Sequence, residues 1–203
     1  MRIVIVEYGM GNVHSIASTL KYLNVSDVII SSDQEILKNS DKIILPGVGS
    51  FAKAMQRIRE AELDTLLYKL SVEEKKPLLG ICLGMQLLGR SSPEDGYNEG
   101  LGFVNGDVSR FDSSGLKVPH VGFNQVKPSA QAKLFHGFTG TPDFYFTHSY
   151  RMLSDEDINQ SVCDYDGEFV AGFEVNNIAG VQFHPELSQQ NGLRLLKNFI
   201  EKF

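Results

Sequence analysis

Pro77-Leu78-Leu79-Gly80-Ile81-Cys82-Leu83-Gly84-Met85-Gln86-Leu87-Leu88 is an apolar run that changes character halfway. Its first part reads as a short strand buried on both faces, and Met85 to Leu88 opens a helical pattern. The junction, Gly80-Ile81-Cys82-Leu83-Gly84, is a Gly-x-Cys-x-Gly elbow. A side chain on so sharp a strand-to-helix turn needs a strained backbone, and flanking glycines remove the atoms that would collide there. Working outward, Arg2 to Val6, Val28 to Ser31 and Lys42 to Leu45 are similar β-branched or leucine-rich runs. Between them Asn12 to Leu23 and Phe51 to Leu70 carry apolar residues at helical spacing, as do the last residues, Gly192 to Glu201. The first half is therefore βαβ, an α/β domain with parallel strands. After Gly100 the texture becomes aromatic and alternating, in Gly102 to Phe111, Val118 to Val126, Phe144 to Tyr150, Phe169 to Val175 and Ile178 to Phe183. That half is expected to be mixed or antiparallel.

The whole chain bounds the function in the same way. Its 203 residues correspond to one domain of ordinary size, residues 1–203, and no repeat or linker divides it. A net charge of −6 without a basic run argues against nucleic acid and anionic membrane as partners. The longest apolar stretch, Leu78 to Leu88, is too short to span a bilayer. The N-terminus reads as a strand and not a signal peptide, so the expected location is the cytoplasm. Cys82 and Cys163 lie far apart with no Cys-x-x-Cys, which disfavours a disulfide framework or a zinc clip. Cys163, in an alternating strand, is expected to pack. His14 and His136 are expected to be surface or structural residues, and no cofactor or metal is expected.

The elbow by itself fits two readings, a nucleophile exposed at a helix start and a cysteine buried between packing glycines. In the first, the N–H of Leu83 points where an oxyanion would form. A second segment, Gly180-Val181-Gln182-Phe183-His184-Pro185-Glu186, ends a strand in His-x-Glu. Residues two apart in extended chain share a face, so Glu186 can orient His184 while His184 moves a proton. With Cys82 as the one plausible nucleophile, these residues form a candidate Cys-His-Glu triad. Leu45-Pro46-Gly47-Val48-Gly49-Ser50-Phe51 is either a loop that aims an N–H at an oxyanion or an ordinary βα turn. Gly9-Met10-Gly11 lacks the third glycine of a dinucleotide fingerprint, because His14 stands there.

Together these residues resemble the class I glutamine amidotransferases, which join Gly-x-Cys-x-Gly to a late His-Pro-Glu on a flavodoxin-like α/β fold. Within that family the likeness is greatest to the glutaminase subunits of imidazole glycerol phosphate synthase. It runs through Tyr8 to Asn12, Pro46 to Phe51, Gly80 to Leu88, Pro119 to Asn124, Phe146 to Tyr150 and Val181 to Glu186. The resemblance implies a mixed, mostly parallel central sheet flanked by helices. It also implies glutamine hydrolysis to glutamate and ammonia by Cys82, His184 and Glu186, with the N–H groups of Val48 and Leu83 as oxyanion hole. By the same matching Gly49, Gln86, Glu94, His148, Ser149 and Tyr150 would hold glutamine, Glu94 facing its α-amino group.

A partner is implied as well, a TIM-barrel cyclase that takes the ammonia in a heterodimer serving histidine biosynthesis. Asn12, His120, Phe123 and Leu187 would lie at that interface. Two motifs depart from the family pattern, at three positions: Pro-His-Met-Gly-Trp-Asn has Val121 and Phe123 here, and His-Pro-Glu-Lys has Leu187. A leucine cannot replace a cation in a salt bridge. The departures point to a second reading, the same glutaminase serving a synthase that amidates a sugar in surface-polysaccharide assembly.

Overall fold

A computed structural model describes residues 1–112 and 115–203. Strands β1 (Arg2–Val6), β2 (Asp27–Ser31), β3 (Lys42–Leu45) and β4 (Leu78–Ile81) alternate with helices in the first half. The helices are α1 (Val13–Tyr22), α2 (Gln34–Lys38), α3 (Phe51–Glu60), α4 (Leu63–Leu67) and α5 (Leu83–Leu87). The second half supplies β5 (Ser91–Ser92), β6 (Asn98–Glu99), β7 (Asp107–Arg110), β8 (His120–Gln125), β9 (Asp143–His148), β10 (Tyr150–Leu153), β11 (Ser161–Asp164), β12 (Glu168–Val175) and β13 (Ile178–Val181), before α6 (Gln189–Lys202).

The main sheet runs β2-β1-β3-β4-β13-β12-β10-β7-β5-β6. From β2 to β13 all pairs are parallel, and β13-β12, β12-β10 and β10-β7 are antiparallel. Strands β8 and β9 form a separate antiparallel ribbon. This is the expected α/β architecture, parallel in its first half and mixed in its second. Alternation along β1 sends Ile3 and Ile5 to the side of α1 and α6, where Ile16, Leu20, Leu195 and Phe199 bury them. Val4 and Val6 face the other side, against Met55, Ile58, Leu66 and Leu87. A sheet covered on both faces explains why these strands read as continuous apolar runs.

The topology sets the site. Strand β13, from the last fifth of the chain, inserts beside β4 with Gly180 opposite Gly80 and Val181 opposite Ile81. The C-terminal ends of β3, β4 and β13 are therefore adjacent, and each carries one of the three candidate motifs. In open α/β sheets this edge is where ligands bind.

Three local expectations differ from the structure. The helical pattern of Phe51 to Leu70 is broken at Glu62, which takes a left-handed conformation (φ 53°), and continues as α4 and a π-type turn over Tyr68–Glu73. Apolar spacing persists across the bend because both pieces pack on the same sheet face. Gly102 to Phe111 is strand only from Asp107: the N–H groups of Leu101, Gly102, Phe103 and Val104 donate to the carbonyls of Leu87, Gly89 and Leu88, capping the end of α5. Phe144 to Tyr150 splits at Ser149, its first part pairing with β8 and its continuation joining the main sheet as β10. Helix α2, not anticipated, is short and begins at Asp33, whose side chain accepts from the Ile36 N–H at 2.9 Å.

Candidate active site

Cys82 stands between β4 and α5 with φ 54° and ψ −113°, a region L-residues rarely occupy. Its N–H donates to the Val181 carbonyl at 2.8 Å, tying the elbow to β13. Gly84 makes the turn possible, because a Cβ there would lie 1.9 Å from the Leu45 carbonyl oxygen. Only a glycine lets α5 begin directly on the end of β3. Cys82 is 6% exposed, so both readings of the elbow are partly met: it is largely buried, and it opens into a cavity.

Immediately after β13, His184 reaches the same cavity. Its Nδ1 donates to Glu186 Oε1 at 2.9 Å, which leaves Nε2 as the nitrogen with no oxygen or nitrogen partner among the described residues. Burial works against the imidazolium, but hydrogen bonds to the Cys82 sulfur and the Glu186 carboxylate, with the negative charge on both, outweigh it and push His184 up to about 10. The backbone is pinned on both sides: the His184 N–H donates to the Tyr145 carbonyl at 2.9 Å, and its carbonyl accepts from Ser188 Oγ at 2.6 Å. Asn12, half-buried, donates from Nδ2 to Glu186 Oε1 at 3.3 Å. It supports the orienting carboxylate from behind.

The glycine-rich loop after β3 forms another wall, where Gly49 has φ 100°. Here the N–H of Leu83 donates to the Gly47 carbonyl at 3.3 Å. That carbonyl thus holds the donor an oxyanion would need. Since C=O and N–H point oppositely across a trans peptide, the Val48 N–H is directed away from Leu83. The loop is fastened just before this peptide by the buried Tyr8, whose hydroxyl donates to the Pro46 carbonyl at 2.6 Å. Burial and the neighbouring Cys82 raise the Tyr8 phenol well above its ordinary value, so it remains a donor.

The cavity has a volume of about 370 Å³. Besides Cys82, Leu83, Val48 and His184, its wall includes Gly49, Gln86, Glu94, His148, Ser149 and Tyr150, every residue anticipated for glutamine. Glu94 brings a carboxylate to it, with Oε2 accepting from the Phe51 N–H at 2.8 Å. Burial pushes this carboxyl up, and the Phe51 hydrogen bond opposes the shift. Gln86 is held by two bonds from Nε2, to the Tyr150 carbonyl at 2.9 Å and to Gln182 Oε1 at 2.8 Å.

Gln182 is the functional residue the sequence reading passed over. Fully buried, it reaches Cys82 Sγ with its Nε2 at 3.8 Å and so links the nucleophile to Gln86. The signal was present as a polar side chain two before His184 in a run expected to be extended, although β13 ends at Val181 and the chain bends at Gln182 and Phe183. Pro119 and Thr147 also line the cavity. His120, anticipated at the partner interface, is a correction: it is 3% exposed, its ring stacked between Tyr165 and Phe146. Val121, Phe123 and Leu187 are exposed, as a contact surface requires. Cys163 is buried and unpaired in β11.

The sequence matches the family described as Glutamine amidotransferase class-I over residues 4–203. It is 39% identical over 203 residues to the imidazole glycerol phosphate synthase subunit HisH of Aquifex aeolicus, covering 100% of this chain and 97% of that one. It is 44% identical to the corresponding subunit HisH 2 of Methanococcus maripaludis, covering 98% and 99%. Among solved structures the fold is similar to PurLQS from Thermotoga maritima, with a TM-score of 0.74 at 19% identity over 99% of this chain and 98% of that one. A solved glutamine amidotransferase gives a TM-score of 0.75 at 20% identity, covering 98% and 97%.

Proposed function

The chain belongs to the class I glutamine amidotransferases, and from that premise we propose that it is the glutaminase subunit of an imidazole glycerol phosphate synthase, releasing ammonia from glutamine for a cyclase partner. The observation that carries this reading is the convergence of Cys82, on its strained elbow, with the His184–Glu186 pair on one cavity that also holds the Glu94 carboxylate.

The chemistry follows from the geometry. Glu94 supplies the negative charge that an α-ammonium group seeks, which sets the amino-acid end of glutamine and leaves its side-chain amide for Cys82. The Cys82 thiolate attacks the amide carbon, and a C–S bond forms as the carbonyl becomes an oxyanion. Protonated His184 then gives its Nε2 proton to the departing nitrogen, the C–N bond breaks, and ammonia leaves behind a thioester. Water, deprotonated by the now neutral His184, attacks the thioester; glutamate departs and the Cys82 sulfur is restored. Glu186 keeps the proton on Nδ1 throughout, so that Nε2 always faces the reaction.

One part is not in place. The Gly47 carbonyl occupies the Leu83 N–H, so oxyanion stabilisation requires the Gly47–Val48 peptide to turn over. Two well-aimed donors in such a hole are commonly worth about 3–4 kcal/mol each, or 10²–10³ in rate. A chain in this state is a slow glutaminase, and a partner that turns the peptide makes it a fast one. Slow hydrolysis alone suits the task, because ammonia freed without an acceptor is lost to water.

The exposed Phe123 and Leu187 favour a second reading of the partner alone, a sugar-amidating synthase docking through an apolar contact. A glutamine-mimicking electrophile tests the shared chemistry. It is expected to label Cys82 and not Cys163, with labelling prevented by excess glutamine; modification of neither cysteine, or indifference to glutamine, would exclude a glutamine site.

A further inference from the structure

His120 has no place in the steps above, yet the structure puts a polar ring where an apolar one would pack. The ring is 3% exposed and lies between Tyr165, with centroids 3.9 Å apart and planes 17° apart, and Phe146, at 4.8 Å and 23°. Its nitrogens are both engaged. His148 Nδ1 lies 2.7 Å from the Tyr150 carbonyl, which can only accept, so the His148 proton is on Nδ1 and Nε2 is an acceptor. His120 Nδ1, 3.0 Å from that Nε2, must therefore donate. His120 Nε2 is then an acceptor in turn, met by Asn124 Nδ2 at 3.4 Å, and the Asn124 amide is oriented by the Gln125 N–H on its Oδ1 at 2.8 Å. Asn124 Nδ2 also donates to the Asp164 carbonyl at 3.3 Å, and from His120 onward the two ring donors point the same way, to the carbonyl of Tyr150.

We propose that His120 is a positioning residue of the glutamine pocket, whose Nδ1–H holds the His148 ring and, through it, the Tyr150 carbonyl in the binding geometry. This rests on the reading of the cavity as a glutamine site. Both His148 and Tyr150 line that cavity, whereas His120 does not. Without the His120 donor, His148 Nε2 becomes a buried acceptor with nothing to accept from, and the ring turns or recruits a proton to relieve it. The Tyr150 carbonyl then loses one of the two donors that fix it, keeping only Gln86.

The test is glutamine affinity, measured by calorimetry on the full chain carrying Cys82→Ala so that nothing is turned over. His120→Phe keeps an aromatic ring in the stack but has no donor, and is expected to weaken glutamine about tenfold. His120→Asn places an amide N–H near the site of Nδ1 and is expected to stay within about threefold of the parent. His120→Gln, whose amide reaches the site of Nε2 instead, is expected to behave like the phenylalanine and serves in its place should that variant not fold. Affinity unchanged in His120→Phe and His120→Gln, or lost equally in all three, would overturn the proposal, since a packing role does not distinguish asparagine from glutamine by donor position. A Cys82→Ala parent that binds no glutamine would remove the reading of the cavity itself, and the role of His120 with it.

Discussion

The His184 ring is held between two groups of unlike kind, the Cys82 sulfur facing one nitrogen and a carboxylate on the other. Because both favour the imidazolium, its pKa is raised and the proton needed by departing ammonia is present throughout the neutral range. It is lost only as pH rises through about 10. The expected alkaline limb of kcat/KM therefore lies near that value, and Glu186→Gln, which removes the negative charge, is expected to move it to lower pH and to cut kcat at least tenfold. A pH–rate profile of the two proteins checks this; an unmoved limb would mean that Glu186 does not tune His184. Tyr8 offers a stability prediction. Tyr8→Phe leaves the Pro46 carbonyl buried without its donor, which is expected to cost about 1–3 kcal/mol in urea unfolding. At this scale the sequence was informative where chemistry is rare, at Cys82 and His184, while Glu94 came only with the family resemblance. It was silent where a common polar residue acquires its role through a distant neighbour, as Gln182 does from Cys82 and Asn12 from Glu186.

Among elements, the strand-to-helix elbow carries the strictest steric demand. A methyl group at position 84 meets the backbone of Leu45 and not a side chain that could swing aside. Gly84→Ala is expected to destabilise the fold by about 3 kcal/mol or more and to abolish glutaminase activity even where folded protein remains, since relief of the clash displaces Cys82. Thermal unfolding together with Cys82 labelling separates the two losses. The β1 to β4 and α1 elements were legible from their burial on both sheet faces or along one helix face. The bend at Glu62 was not, because its left-handed residue is neither glycine nor proline and the leucine spacing continues past it. The segment after Gly100 misled for a related reason: its backbone donors serve the end of α5, a use of hydrogen bonds that leaves no periodic trace.

Over the whole molecule, function depends on pairings between distant parts of the chain. The sequence displayed the three motifs separately, but that β13 would lie beside β4, bringing Val181 against Ile81 across 100 positions, follows from global packing and not from either segment. The side chains of Val121, Phe123 and Leu187 are exposed and apolar, and we propose them as the surface offered to a partner. Phe123→Asp is expected to lower stimulation by the synthase partner at least tenfold, through desolvation of a charge at an interface; stimulation as in the unaltered chain would place the docking surface elsewhere. Everything above turns on a glutaminase whose oxyanion hole is opened by a cyclase. Its decisive assay is glutamate released from glutamine by the chain alone and then with a barrel cyclase and its ribonucleotide ligand, with Cys82→Ala as blank. Slow hydrolysis is expected from the chain alone, stimulation of about 10² or more with the liganded cyclase, and none in the Cys82→Ala protein. Hydrolysis that is fast alone and indifferent to the cyclase, or that survives the loss of Cys82, would contradict this mechanism.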